Sequence, residues 1–478
     1  MEIKSNPRKV QISLCIAVFL VPFMGSSLNL ATPQIGTDFS MSAFAMTFLV
    51  SSYLLGTAVF QMPAARVGDL LGRKKVFLVG LSVFGLFSLL SAFAWSGWSL
   101  TFFRFASGVG SALVFATNMA ILTAVFPKEE RGKALGINTA VVYFAVAVGP
   151  FLGGLLSQHF GWRSIFFVCA GLTLIAVIAS ARTIKDEWRE AAGETFDCMG
   201  GLFYALGVTG LVLGFTFSAG WSGWTLLVAG IAAVCIFARI EGRVRFPMLK
   251  LDLFYNNRHF RLSSLSAMIN YAASFAIGFI MSMYLQFVHG LPADKAGFIL
   301  MAQPVAQTVL SPLAGRLSDR VNPSYLTTGG MAAISVGLFC LSRLTPDTSL
   351  TVVVLILVLV GIGFALFSSP NVNIIMGSVS SRDSGIASAT TGTARQIGQS
   401  LSMAMTSLIV YAYMGDHELT LETASLFLPA MKVGFIIFAF ISMVGIYTSA
   451  SKLFGDEDKK NWRHISVRLK PGESRRKR

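Results

Sequence analysis

Fourteen apolar stretches succeed one another along this chain, near 10–31, 44–64, 76–95, 101–126, 134–157, 164–182, 200–219, 223–240, 262–288, 297–315, 324–343, 349–377, 386–413 and 429–450. About 20 apolar residues in a helix match the hydrocarbon thickness of a bilayer. Backbone N–H and C=O groups in lipid must pair within their own segment, so each stretch is expected to be a helix. The fold class expected is an all-α polytopic membrane protein. Composition agrees: 54% of residues are hydrophobic and 13% charged, against about 25% charged in soluble domains. The basic start, MEIKSNPRKV, runs into a long apolar stretch that reads as the first span rather than a cleaved signal.

The net charge of +15 would point to nucleic acid in a soluble protein. Here the cations sit in short gaps between apolar runs and in the tail, which fits an anionic leaflet and argues against nucleic acid. With the N-terminus placed in the cytoplasm, the inner gaps hold Arg66, Arg73, Lys74 and Lys75, then Lys128, Arg131 and Lys133, then Arg182, Lys185 and Arg189. Further along come Arg239 to Arg261, Arg316, Arg320, Arg382, Lys452 and the RRKR end, whereas the outer gaps hold Arg163, Lys295, Arg343 and Lys432. Both termini are therefore expected to be cytoplasmic. The cysteines, Cys15, Cys169, Cys198, Cys235 and Cys340, are odd in number and lie in or beside apolar runs. They give no disulfide framework, and no metal site or cofactor is expected.

Two charge clusters echo each other. Arg66-Val-Gly-Asp69 precedes Leu-Leu-Gly72-Arg73, and Gly315-Arg316-Leu-Ser-Asp319 repeats the Arg-to-Asp spacing about 250 residues later. Paired halves are a sequence sign of secondary transporters, whose binding site lies between them. From these residues the chain resembles the major facilitator superfamily, and within it the fourteen-span drug:proton antiporter branch. Ala65 to Lys74 looks like the family's loop between spans 2 and 3, with Ala65 where Gly is usual. Arg104-Phe-Ala-Ser-Gly108-Val-Gly110 looks like its span 4 motif, and Gly149-Pro150-Phe-Leu-Gly153-Gly154 like the antiporter motif of span 5. Phe196-Asp197, Pro247 to Phe254 and Arg395-Gln396-Ile-Gly398 are similar to features of the branch.

The resemblance implies two six-helix bundles, 1–183 and 258–452, joined by two extra central spans in 184–257 and followed by a basic tail, 453–478. It implies a multi-pass protein of the cytoplasmic membrane, not an enzyme. The expected function is proton-linked export of hydrophobic or amphipathic small molecules by a monomer. A facilitator or exchanger of an organic anion without proton coupling, and a membrane sensor or scaffold that has lost transport, are the competing readings.

Each motif has a physical reading. Gly72 permits a tight turn. Asp69 can cap a helix or pair with Arg73, Lys74 or Arg131. The resemblance makes Asp69, Gly72, Arg73, Arg66 and Arg131 a conformational latch, with Gly315, Arg316 and Asp319 as its second copy; cationic loops that only set topology are the plainer alternative. Gly149, Pro150, Gly153 and Gly154 form a bent, smooth helix face, either an antiporter seal or an ordinary packing seam. Arg104 and Arg395 are cations inside spans. Each either responds to protonation or substrate or is a structural Arg bonded to carbonyls.

Polar residues inside spans are candidate cavity lining or interhelical glue: Asn29, Asn118 and Gln303, with Gln61, Asn138, Tyr143, Asn270, Tyr271, Gln307, Asn371, Asn373 and Gln399. The branch's cation exporters carry an Asp in span 1, where this chain has Met24, and no Asp or Glu falls near the centre of any span. A neutral or anionic cargo therefore fits better than a cationic one. Proton coupling, if present, would run through Asp69, Asp319 or the cargo itself.

Overall fold

Residues 5–127, 130–249, 251–379, 384–419 and 423–454 are described by a computed structural model of the chain, and every named element among them is helical. Six helices come first: α1 (Pro7–Asp38), α2 (Ala43–Leu71), α3 (Arg73–Ala92), α4 (Gly97–Val125), α5 (Arg131–Phe160) and α6 (Arg163–Thr183). Then come α7 (Cys198–Thr216) and α8 (Trp221–Glu241). After a short helix, Leu251–Asn256, the remaining long helices are α9 (Arg258–Val288), α10 (Ala293–Ser318), α11 (Pro323–Leu341), α12 (Leu350–Gly377), α13 (Ser384–Met414) and α14 (Ala424–Ala450), with a final 3-10 turn at Ser451–Phe454.

Thirteen of the numbered helices are long and apolar enough to cross a membrane. The exception, α13, is present where a span is expected but falls short in apolar character. α13 has 31 residues, but Thr390, Thr391, Thr393, Arg395, Gln396, Gln399 and Ser400 interrupt its apolar character.

Local chemistry sets the helix ends. Asn6 accepts from the amides of Arg8 and Lys9 ahead of Pro7, Ser42 caps α2, and Ser96 and Ser99 form a reciprocal cap on α4. Asp197 caps α7, Asn257 caps α9 and Asn322 caps α11. Two helices are discontinuous. α9 loses its regular pattern at Phe275–Ala276 and closes as a π turn, Tyr284–Val288, and α10 is interrupted at Met301.

In the first half, α2 and α3 pack on α4, α3 on α6, and α1 on α5 and α6. In the second, α11 packs on α12 and α14, α10 on α12, and α9 on α13 and α14. Close approach needs missing side chains: a Cβ at Gly108 would stand 2.2 Å from the Tyr53 carbonyl, and one at Gly56 2.3 Å from that of Phe105. α7 and α8 pack on each other, and α7 also touches α2 and α13, its Tyr204 hydroxyl donating to the Ala58 carbonyl at 2.7 Å. The halves meet where α5 packs on α10 and α2 on α13. Ser5 and Phe454 lie on one side of the bundle, called the near face below; the opposite side is the far face.

Candidate translocation pathway

At the near face, Gly72 joins α2 to α3 with φ +121°, a backbone that L side chains avoid. Across this turn Arg73 Nε donates to Asp69 Oδ1 at 2.8 Å. The remaining partners come from the segment between α6 and α7, which reads in sequence only as a cationic inner loop. Glu190 pairs with Arg73 at 2.8 Å and Glu194 with Arg66 at 2.6 Å. Glu187 accepts the Lys74 amide at 2.9 Å, placing a carboxylate at the positive end of α3. Backbone bonds tie the same segment down, from the Arg73 amide to the Trp188 carbonyl and from the Ala191 amide to that of Asp69. Residues 185–194 thus form an acidic strap over the junction of α2 and α3.

Three expectations are corrected here. Arg131 is not the partner of Asp69; its Nε donates to the Phe126 carbonyl at 3.1 Å, capping the end of α4. The second copy forms no pair: Arg316 and Asp319 make no side-chain hydrogen bond or ion pair with other described residues, and Gly315 packs near Ser369. Lys452, grouped by sequence with the exposed tail, is buried, its ammonium donating to Asn371 Oδ1 at 3.1 Å. Burial pulls that ammonium down to about 7. Lys128, Arg382 and residues 455–478 of the tail lie outside the described residues.

Each near-face pair joins a largely buried arginine to a more exposed carboxylate, and Arg73 keeps Glu190 when Asp69 is replaced, so losing one solvent-facing pair should cost about 0–1 kcal/mol. Asp69→Asn should therefore change thermal stability by less than about 1 kcal/mol. If the pair acts as a latch, transport in the same preparation should fall at least tenfold, and an unchanged rate would reduce Asp69 to a topological residue.

Between the halves, α5 brings Tyr143 among Tyr271 of α9, Gln307 of α10, Ser368 of α12 and Arg395 of α13. The Arg395 guanidinium lies 5.8 Å from the Phe115 ring of α4. Gln61 of α2 points toward Gly392 of α13, and its Oε1 has no partner among the described residues. Asn29 is similar: its amide nitrogen faces Gly278 and its Oδ1 is unpartnered. Gln303 is half-buried, its backbone carbonyl against Gly361.

Arg104 stands apart, 1% exposed, with its guanidinium 4.2 Å from the Tyr53 ring centroid. Asn118 Nδ2 donates to Asn138 Oδ1 at 3.0 Å in a buried pair, while its own Oδ1 has no partner among the described residues. Asn371 is likewise occupied by Lys452 and by the Ser263 carbonyl. The carboxylates on described helices stand at helix ends, as Asp38, Asp69, Glu241 and Asp294 do.

At the far face the halves are in contact. The Ser27 hydroxyl of α1 donates to the Gly149 carbonyl at 2.9 Å, and Gly153 lies against Ser27. Gly154 and Pro150 meet α10 at Ala293 and Gly297, and the Ala293 amide donates to Gln158 Oε1 at 3.2 Å. On the other flank Ser407 of α13 donates to Thr47 of α2 at 2.6 Å, and the Ala43 amide donates to the His417 carbonyl. The pathway is closed at this end.

The family model described as Major Facilitator Superfamily matches residues 14–243 and 263–476. The chain belongs to the major facilitator superfamily. It is a multi-pass membrane transporter of small molecules and not an enzyme.

Among curated relatives, the riboflavin transporter RibZ of Clostridioides difficile (strain 630) is 28% identical, covering 91% of this chain and 95% of that protein. The multidrug resistance protein Stp of Mycobacterium tuberculosis (strain CDC 1551 / Oshkosh) is 30% identical over 84% of this chain and 76% of that protein. The tetracenomycin C resistance and export protein of Streptomyces glaucescens is 29% identical over 87% and 78%. Among solved structures, a bacterial homologue of the human lysosomal transporter Spinster, in an inward-facing and unoccupied conformation, aligns with TM-score 0.70 at 16% identity, covering 94% of this chain and 97% of that one. At that identity the likeness is one of fold.

Proposed function

We propose that this transporter exports neutral or anionic amphipathic small molecules across the cytoplasmic membrane by alternating access, as a monomer with both termini in the cytoplasm and with protons as the coupling ion. The observation that carries the cargo class is the pathway's charge. Arg395 faces Tyr143, Gln307 and Phe115 with no carboxylate beside it among the described residues. A cationic cargo would meet uncompensated positive charge there, while an anion would gain a charge-assisted hydrogen bond. Similarity to the two resistance proteins supports export of organic compounds, and similarity to the riboflavin transporter supports a cargo rich in hydrogen-bonding groups. Exchange without protons is the second reading, favoured by the placement of carboxylates at helix ends.

The test uses purified protein in liposomes with a pH-sensitive dye inside, an imposed proton gradient, and a panel of cationic, neutral and anionic amphipathic compounds. Cargo-dependent proton flux, with anionic and neutral compounds moving and cationic ones not, is the expected result. Arg395→Gln should slow the anionic compounds by about tenfold more than the neutral ones, the size of one charged hydrogen bond. Movement without proton flux would favour the exchanger. Preference for cations would overturn the cargo class.

A further inference from the structure

Pro33 lies inside α1 and has no N–H, so the carbonyl of Asn29, four residues earlier, receives no donor from its own helix. That carbonyl is not left empty. The Ser282 hydroxyl of α9 donates to it at 2.7 Å. Gln286, one turn further along, donates from Nε2 to the Leu30 carbonyl at 3.2 Å and to Ser282 Oγ at 2.9 Å, which orients the hydroxyl. Ser282 is fully buried. Both donors belong to the second half of the chain and both carbonyls to the first, so these bonds break whenever the halves part at the far face.

The donor segment is shaped for the task. α9 restarts after its break as Ile277–Met283 and ends as the π turn Tyr284–Val288, which carries Gln286. Such turns recur at functional sites because the extra residue re-aims the side chains around it. This one is pinned from behind, with Tyr284 Oη donating to the Thr345 carbonyl at 2.7 Å and lying 2.9 Å from His289 Nε2.

We infer that Ser282, positioned by Gln286, is a gate residue whose hydroxyl satisfies the carbonyl orphaned by Pro33 and so sets the population of the far-face-closed state. The inference rests on the alternating-access reading above. When the halves part, the Asn29 carbonyl faces the opening pathway, and water replaces the hydroxyl. The bond is exchanged rather than lost outright, so the gate holds without being locked.

The experiment measures the gate without cargo, which separates it from the question of what is transported. Spin labels at His159→Cys and Asp347→Cys, both exposed on the far face of opposite halves, are placed in a variant whose five native cysteines are replaced. Distances are read by pulsed electron paramagnetic resonance in liposomes. Ser282→Ala should raise the ratio of long to short distances about fivefold, the worth of one net hydrogen bond. Gln286→Met should move the ratio the same way by less.

Pro33→Ala returns an intrahelical donor to the Asn29 carbonyl, so in that background Ser282→Ala should change the ratio less than twofold. An equal shift in both backgrounds would mean that Ser282 acts by packing alone and would overturn the inference. So would unchanged distances in both Ser282→Ala and Gln286→Met, even if the Pro33 variant does not fold. A protein that moves none of the compounds tested but shows this pattern would refute the proposed cargo and leave the gate standing.

Discussion

Arg104→Leu is expected to make the protein more stable and to abolish transport in the same preparation. Arg104 is 1% exposed within α4, and its Nε and Nη1 have no hydrogen-bond acceptor among the described residues. A charged side chain near the centre of a spanning helix costs about 3 kcal/mol on insertion scales. The Tyr53 ring at 4.2 Å returns about 2 kcal/mol when desolvated. The balance is a net cost, so removing the charge should raise unfolding stability by roughly 1–3 kcal/mol, as for other buried charges replaced by apolar groups. A residue kept against such a cost answers to function, and transport should fall at least 100-fold. Arg104→Lys keeps the charge and loses the planar stacking, and should fall between. Thermal unfolding in detergent and cargo flux in liposomes check both signs together. A loss of stability with normal flux per folded molecule would make Arg104 a structural residue.

Much of the architecture is legible in the sequence because apolar content adds up along a span, and a helix in lipid needs no partner to satisfy its backbone. Even α13, whose threonines and Arg395 dilute it below the other thirteen helices, stands out between its flanking loops. What sequence could not supply is pairing across distance. Glu187, Glu190 and Glu194 follow α6 with no sequence sign of a partner, yet they meet Lys74, Arg73 and Arg66 more than a hundred positions earlier. Of the three cations read as partners for Asp69, Arg73 pairs with it, whereas Arg131 is spent on its own helix junction at Phe126.

The Arg-to-Asp echo gives spacing without partners, and Arg316 and Asp319 have none among the described residues. Asn118 and Asn138 show the opposite outcome. Each alone reads as lining or glue, and together they make one buried hydrogen bond that leaves Asn118 Oδ1 without a partner among the described residues. The orphan carbonyl of Asn29 is a further case: Pro33 announces it in the sequence, but only the fold shows that Ser282 comes to meet it.

Gly154→Ala and Gly297→Ala should each empty the far-face-closed state. A Cβ at Gly154 would stand 2.3 Å from the Ala293 carbonyl oxygen, and one at Gly297 2.3 Å from that of Pro150. The obstacles are backbone, which cannot rotate aside as a side chain does. α5 cannot retreat either, because on its other side Gly149 and Gly153 already lie against Ser26 and Ser27 of α1. The helix is wedged, so the strain falls on a contact between the halves that the transport cycle has to break, that of α5 with α10. Overpacking of this kind costs about 1–3 kcal/mol, enough to move a two-state balance roughly five- to 150-fold toward the open form. The far-face distance should lengthen in both variants, and flux should drop below about a tenth, since a carrier that rarely closes one side rarely completes a cycle. Gly136→Ala is the control: it lies on the same helix with no atom within 4 Å of its Cβ position and should behave as the parent. If Gly154→Ala and Gly297→Ala also keep the parent's distances, the interface has slack that the structure does not show, and the glycines of α5 are a packing seam rather than a seal.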